Sequence, residues 1–144
     1  MQTPAILAPA AALILWSVLV LFWLAFTRFS TFAKAGFELK SVRPGGRYAD
    51  IEEKMPPQIN WVSHNYTHLM EQPTLFYGVI AVLALAGDTS TLSLALAWGY
   101  ALIRIVHSLW QIFVNVVRVR ALIFLACSLC LLGLAIQAVR ITLF

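Results

Sequence analysis

Residues 5–26 read AILAPAAALILWSVLVLFWLAF, without one ionisable side chain. About 20 such residues, rising ~1.5 Å each as an α-helix, cross the ~30 Å hydrocarbon core of a bilayer. No positive n-region precedes the run, and it is longer than the apolar core of a signal peptide. The stretch is therefore expected to stay in the protein as its first membrane helix.

The rest of the chain repeats the pattern. Of 144 residues, 61% are hydrophobic and 11% charged, with a mean hydropathy of +0.84. A soluble domain is nearer half apolar and a quarter charged. Further apolar spans are expected over residues 61–86, 91–117 and 121–139. Together they predict an all-α integral membrane protein, one four-transmembrane-helix domain over residues 1–144. So small a protomer has little interior for polar groups, which favours assembly with other copies.

Charge sets the expected orientation. The net charge is +4, and six of ten basic residues (Arg28, Lys34, Lys40, Arg43, Arg47 and Lys54) fall in the first loop, about residues 28–60. That loop also holds Glu38, Asp50, Glu52 and Glu53, turns at Pro44-Gly45-Gly46 and closes at Pro56-Pro57. The turn Gly87-Asp88-Thr89-Ser90 carries no cation, whereas the third connection carries Arg118 and Arg120. The positive-inside rule then places loops one and three in the cytoplasm and both termini outward, as in a bacterial inner membrane. Such basic clusters suit anionic lipid; no basic-aromatic surface for nucleic acid is present. Cys127 and Cys130, one turn apart in the last span, are expected to be small packing residues.

Two spans carry polar stripes. Tyr100, Arg104, His107, Ser108, Gln111 and Asn115 follow at steps of three or four nearly throughout, which puts them on one helix face. Asn60, His64, Thr67, His68 and Glu71 form a similar row on the second span. Glu71 lies 16 residues before Gly87 and Arg104 lies 14 after Ser90, so both sit roughly 20–24 Å from the connecting turn. Unpaired ionisable groups at that depth cost several kcal/mol, which predicts a Glu71–Arg104 contact within a subunit or across an interface. Pro73 is expected to free the carbonyl of Leu69 and loosen the helix beside Glu71.

The run Glu71-Gln72-Pro73-Thr74-Leu75-Phe76-Tyr77, followed by Trp98-Gly99-Tyr100, Arg104-x-x-His107-Ser108, Asn115 and Arg120, resembles the MAPEG family. These are membrane-associated proteins of eicosanoid and glutathione metabolism, and the likeness is greatest to a bacterial branch with a Glu-x-Pro-x-Leu-Phe-Tyr run. It covers about residues 61–133. The resemblance implies a homotrimer of four-helix protomers with glutathione bound between neighbours near the cytoplasmic face. By the same resemblance Arg120 stabilises the glutathione thiolate, Glu71 holds its amino group, Arg104 supports the site and His107 hydrogen-bonds its backbone. Arg118 matches an alternative family spacing, at 14 residues after Arg104 against 16 for Arg120. His68 stands where the family has an asparagine three residues before the glutamate, His64 where it has an arginine seven before, and Gln111 where some members have a tyrosine. Ala121 and Phe124 offer no hydroxyl just after Arg120.

Three functions fit these residues. One is a glutathione-dependent transferase or peroxidase acting on a lipophilic electrophile that enters from the bilayer. Another is a non-catalytic membrane protein of the same fold, binding lipid or a partner through its polar cleft. A zinc or iron site from His64, His68, Glu71 and His107 is the third. The orientation is tested by cysteine labelling. A Lys40→Cys variant should resist a membrane-impermeant reagent added outside the cell, while a cysteine in the Asp88 turn should react. The opposite pattern refutes the orientation.

Overall fold

The computed structural model describes residues 4–34 and 44–144. It contains four long helices: α1 (Leu7–Lys34), α2 (Pro57–Leu85), α3 (Thr91–Phe113) and α4 (Val117–Leu143). Two 3-10 turns, Tyr48–Asp50 and Glu52–Lys54, precede α2. Each long helix has the length and apolarity to cross a membrane. Lys40, Glu38 and Arg43 lie outside the described residues.

The helix ends differ from those read in the sequence, for local reasons. α1 continues past residue 26 to Lys34 because the polar residues there bond to their own helix. Thr27 donates to the Leu24 carbonyl at 2.9 Å and Ser30 to that of Thr27 at 3.0 Å. Loss of hydrophobicity marks the end of the apolar run, not the end of the helix. α2 begins at Pro57, whose fixed φ and missing N–H suit the first helical turn.

α3 stops at Phe113, four residues earlier than expected, because Asn115 takes a left-handed conformation with φ of 54°. Asparagine tolerates that region, and its N–H closes the helix on the Trp110 carbonyl at 2.8 Å. Asn115 thus belongs to a turn and not to the polar face of α3. The chain re-enters helix at Val117, which moves Arg118 and Arg120 from a connection into the start of α4.

The α2–α3 turn is equally determined. Gly87, at φ 72°, allows the N–H of Asp88 to reach back to the Leu83 carbonyl at 2.9 Å. Ser90 then caps α3 by accepting the Ser93 N–H at 3.2 Å.

The bundle packs around Leu13 of α1, Phe76, Ile80 and Leu83 of α2, Ala97, Tyr100 and Ala101 of α3, and Cys127 and Leu134 of α4. Phe76 and Tyr100 stack with centroids 4.3 Å apart. Small residues bring α3 against α4. A Cβ added at Gly99 would lie 3.4 Å from Cys130 Sγ, and one at Gly133 only 2.9 Å from Leu96 Cδ1. Backbone approach of this kind supplies contact where lipid leaves no hydrophobic drive between helices. Large apolar side chains, among them Phe22, Phe26, Leu122 and Leu125, point outward. Such a surface suits hydrocarbon and not water.

The turn also carries a pH-dependent contribution. Burial on its own would raise the Asp88 carboxyl. Hydrogen bonds from the Ser93 hydroxyl and from the Ser90 N–H and hydroxyl outweigh it and hold the group below the ordinary carboxylate range. The sign follows from linkage. A depressed folded value stabilises the fold above the unfolded pKa of about 3.9, and the benefit disappears as pH falls through the folded value. Thermal unfolding in detergent should therefore weaken below about pH 4 in wild type, and less so in Asp88→Asn. Identical acid-side slopes would exclude this role.

Candidate functional site

The polar face of α3 turns inward. Tyr100, Arg104, His107, Ser108 and Gln111 are all buried, Arg104 to 1% exposure. A guanidinium does not deprotonate in proteins, so its charge must be solvated by the protein itself. Its Nη2 donates to the main-chain carbonyl of His68 in α2. Nη1 stands 3.5 Å from Nδ1 of His107, and the group lies 5.7 Å from the Phe124 ring centroid in α4. Since the arginine only donates, Nδ1 of His107 accepts and its proton sits on Nε2.

Pro73 lies inside α2, five residues beyond His68. It has no N–H for the Leu69 carbonyl, the neighbour of the His68 carbonyl that receives Arg104. His68 is half-buried, and its ring stacks on His107 at 6.4 Å and 17°. The two stripes therefore meet at His68, not at Glu71.

Glu71 is exposed, as are Thr67 and His64. Within the protomer no ion pair joins Glu71 to Arg104; among the described residues the ion pair present is His64 with Glu52. Most of the α2 row thus faces away from its own bundle. The inward face of α2 is instead Val62, Asn65, Leu69, Pro73 and Phe76.

That inward face supplies polar contacts the sequence reading missed. Asn65 donates to the Ser108 hydroxyl at 2.8 Å, which also receives the Trp16 indole N–H at 2.9 Å. These bonds tie α1, α2 and α3 together. Gln72 donates to Ser128 at 2.8 Å and accepts from Tyr100 at 3.3 Å and Cys127 at 3.5 Å, joining α2, α3 and α4. The signal was present: Asn65 and Gln72 sit seven apart, flanking Leu69, on the heptad that also carries Val62 and Phe76. Choosing the face by its ionisable residues pointed to the other side of the helix.

The remaining candidates lie at the loop end. Gln111 is fully buried, with neither its amide nitrogen nor its oxygen bonded. Arg104 Nε is likewise buried without a partner. Arg120 is half-buried in the first turn of α4 and donates to Asn115 at 2.7 Å, whereas Arg118 is exposed. The charges of Arg104 and Arg120 both reach His68 and His107, and that of Glu71 reaches His68.

A strap covers this end. Tyr48 donates to Asn60 at 2.7 Å, Asn60 donates to the Glu52 carbonyl at 3.0 Å, and the Glu52 carboxylate pairs with His64. Arg28 of α1 lies 4.0 Å over the Tyr48 ring and bonds Ser63 of α2 at 2.6 Å. Burial raises the Tyr48 hydroxyl above its ordinary value, with Arg28 opposing the shift. His64 is thereby committed to the strap. Among the described residues no group of three or more His, Cys, Asp or Glu could hold a metal ion.

A model of the MAPEG family matches residues 6–140. No curated protein and no solved structure gives a match.

Removing Arg104 should cost more than removing Arg118. Arg104→Ala strips the donor from the His68 carbonyl and leaves a cavity, a loss of about 2–4 kcal/mol. Arg118→Ala removes an exposed side chain and should stay within about 0.5 kcal/mol. Thermal unfolding of both variants in the same detergent measures the difference, and equal losses would contradict the buried role of Arg104.

Proposed function

The chain belongs to the MAPEG family, and on that premise we propose that it is a glutathione-dependent transferase or peroxidase acting on a lipophilic electrophile. In this reading glutathione binds between subunits of a homotrimer, at the end of the bundle carrying the strap. That end faces the cytoplasm, both termini face outward, and the host membrane is a bacterial inner membrane.

One observation carries the proposal. Within a membrane-spanning bundle, the protomer presents Glu71 outward and leaves Arg104 Nε and the Gln111 amide without partners. A carboxylate on a lipid-facing helix is costly, so a neighbouring copy covering that face relieves it. A zwitterionic ligand in the same interface suits the residues. Glutathione has an ammonium for Glu71, carboxylates and amides for arginine and glutamine, and a thiol.

The roles then divide by chemistry. Arg104 supports the floor of the site from α3. His107 presents its Nε2–H for a ligand carbonyl, because Arg104 faces its Nδ1. His68 and Gln111 offer polar contacts where the family uses asparagine and, in some members, tyrosine. When bound, glutathione supplies the nucleophilic thiol. Arg120, near the start of α4, lowers the energy of the thiolate by its charge. Arg118 is the alternative cation for that position, two residues earlier and exposed. The lipophilic co-substrate reaches the site from the bilayer.

A non-catalytic protein of the same fold is the second reading, favoured by one contact. Arg120 is already held by Asn115 at 2.7 Å, and Ala121 and Phe124 supply no hydroxyl beside it.

Native mass spectrometry should give three copies, and adding glutathione should produce thiolate absorbance. Arg120→Ala should abolish the absorbance and leave the trimer intact; a thiol pKa restored by one unit corresponds to about 1.4 kcal/mol, tenfold less thiolate. Glu71→Ala should instead weaken glutathione binding. If Arg118→Ala removes the signal and Arg120→Ala does not, the thiolate role passes to Arg118. A wild type without glutathione affinity leaves the non-catalytic reading standing.

A further inference from the structure

At the opposite end of the bundle, the α2–α3 turn and the last turns of α4 border an open cavity of about 440 Å³. Its lining is Asp88, Ser90, Gln137, Arg140, Ile141 and Phe144. From Ser90 to Arg104 is 14 residues along α3, about 21 Å, so this cavity is separate from the candidate site. It lies where membrane helices end, at the depth of lipid headgroups.

Two opposite charges share the cavity without closing on each other. Among the described residues no ion pair joins Asp88 to Arg140. Each is held in place by a neighbour and retains bonding capacity. Arg140 gives one N–H to Gln137 at 2.9 Å, on its own helix, out of five that a guanidinium carries. Asp88 accepts the Ser90 N–H at 2.8 Å, the Ser90 hydroxyl at 3.4 Å and the Ser93 hydroxyl, which leaves one of the about four acceptor positions of its two oxygens. Ile141 and Phe144 add apolar surface beside the charges. A cation and an anion held apart at the headgroup level, with hydrocarbon contact alongside, form the complement of a zwitterion attached to an acyl chain.

We propose that this cavity binds the headgroup of a zwitterionic phospholipid bearing a primary ammonium, with its phosphate on Arg140 and its ammonium on Asp88. Guanidinium and phosphate match as a two-pronged hydrogen-bonding pair. The carboxylate sets the selectivity. A primary ammonium donates N–H groups and a charge to Asp88, a quaternary ammonium has no N–H to donate, and the glycerol of phosphatidylglycerol brings no positive charge. A lipid bound there bridges the α2–α3 turn and the end of α4. The proposal is independent of glutathione chemistry at the other end.

Purified full-length protein in detergent is titrated with short-chain phosphatidylethanolamine, phosphatidylcholine and phosphatidylglycerol, and with free phosphoethanolamine. Binding is read by native mass spectrometry. Phosphatidylethanolamine should bind at least tenfold more tightly than the other two lipids, and the free headgroup at least tenfold more weakly than the lipid. Arg140→Gln should lower affinity for phosphatidylethanolamine at least tenfold. Asp88→Asn should reduce its preference over phosphatidylcholine to less than threefold. Asp88 also caps the turn, so if that variant unfolds the decision passes to Arg140→Gln, whose side chain is exposed and bonded within its own helix. Equal binding of the three lipids, equal binding of the free headgroup, or indifference to Arg140→Gln overturns the assignment.

Discussion

A guanidinium buried to 1% exposure inside a membrane bundle is the constraint on which the middle of this protein depends. It cannot shed its proton, and hydrocarbon offers nothing to solvate it. The bundle answers with a backbone carbonyl, a histidine ring nitrogen and an aromatic face, drawn from α2, α3 and α4. Pro73 leaves the next carbonyl along α2, that of Leu69, without its helical N–H. The stacked pair of His68 and His107 follows from the same contact, because the arginine holds their helices at that spacing.

Around this centre many inward neutral groups are paired, while Arg104 Nε and the Gln111 amide stay buried without partners and Glu71 faces outward. Asn65, Gln72, Ser108 and Ser128 consume one another's hydrogen bonds across four helices, with Trp16 included. Glu71 faces away on α2, on the side its own bundle does not cover. The division has a physical origin. Neutral amides and hydroxyls bury cheaply once paired, at about 0.6 kcal/mol per interhelical bond, whereas a carboxylate buried without a cation does not. Arg104, taken up by a carbonyl, offers Glu71 no ion pair inside the subunit. The proposal of intersubunit binding grows from that leftover charge.

The two ends of the bundle are built differently. At one end the strap from Tyr48 to Lys54 is fastened by Tyr48, Asn60, Glu52 and His64, with Arg28 beneath. At the other, a tight turn leaves charged residues beside an open cavity. The strap pairs His64 with Glu52, on the outward side of α2.

By itself the sequence determined four membrane helices, because hydrophobicity along the chain is a one-dimensional quantity that twenty-residue runs display directly. It also determined the inward face of α3, whose polar residues have no alternative face, and it carried the resemblance that the family match bears out. Only the tertiary structure decided which face of α2 turns in. Both of its faces carry polar residues, and periodicity cannot say which set finds partners; the answer depends on Ser108 and Ser128, far away in the chain. The left-handed turn at Asn115, which shortens α3 and moves Arg120 into α4, was also hidden, since an asparagine fits a helix surface and a turn almost equally well. Where Arg104 sends its charge was decided in three dimensions for the same reason: a backbone carbonyl has no letter in the sequence.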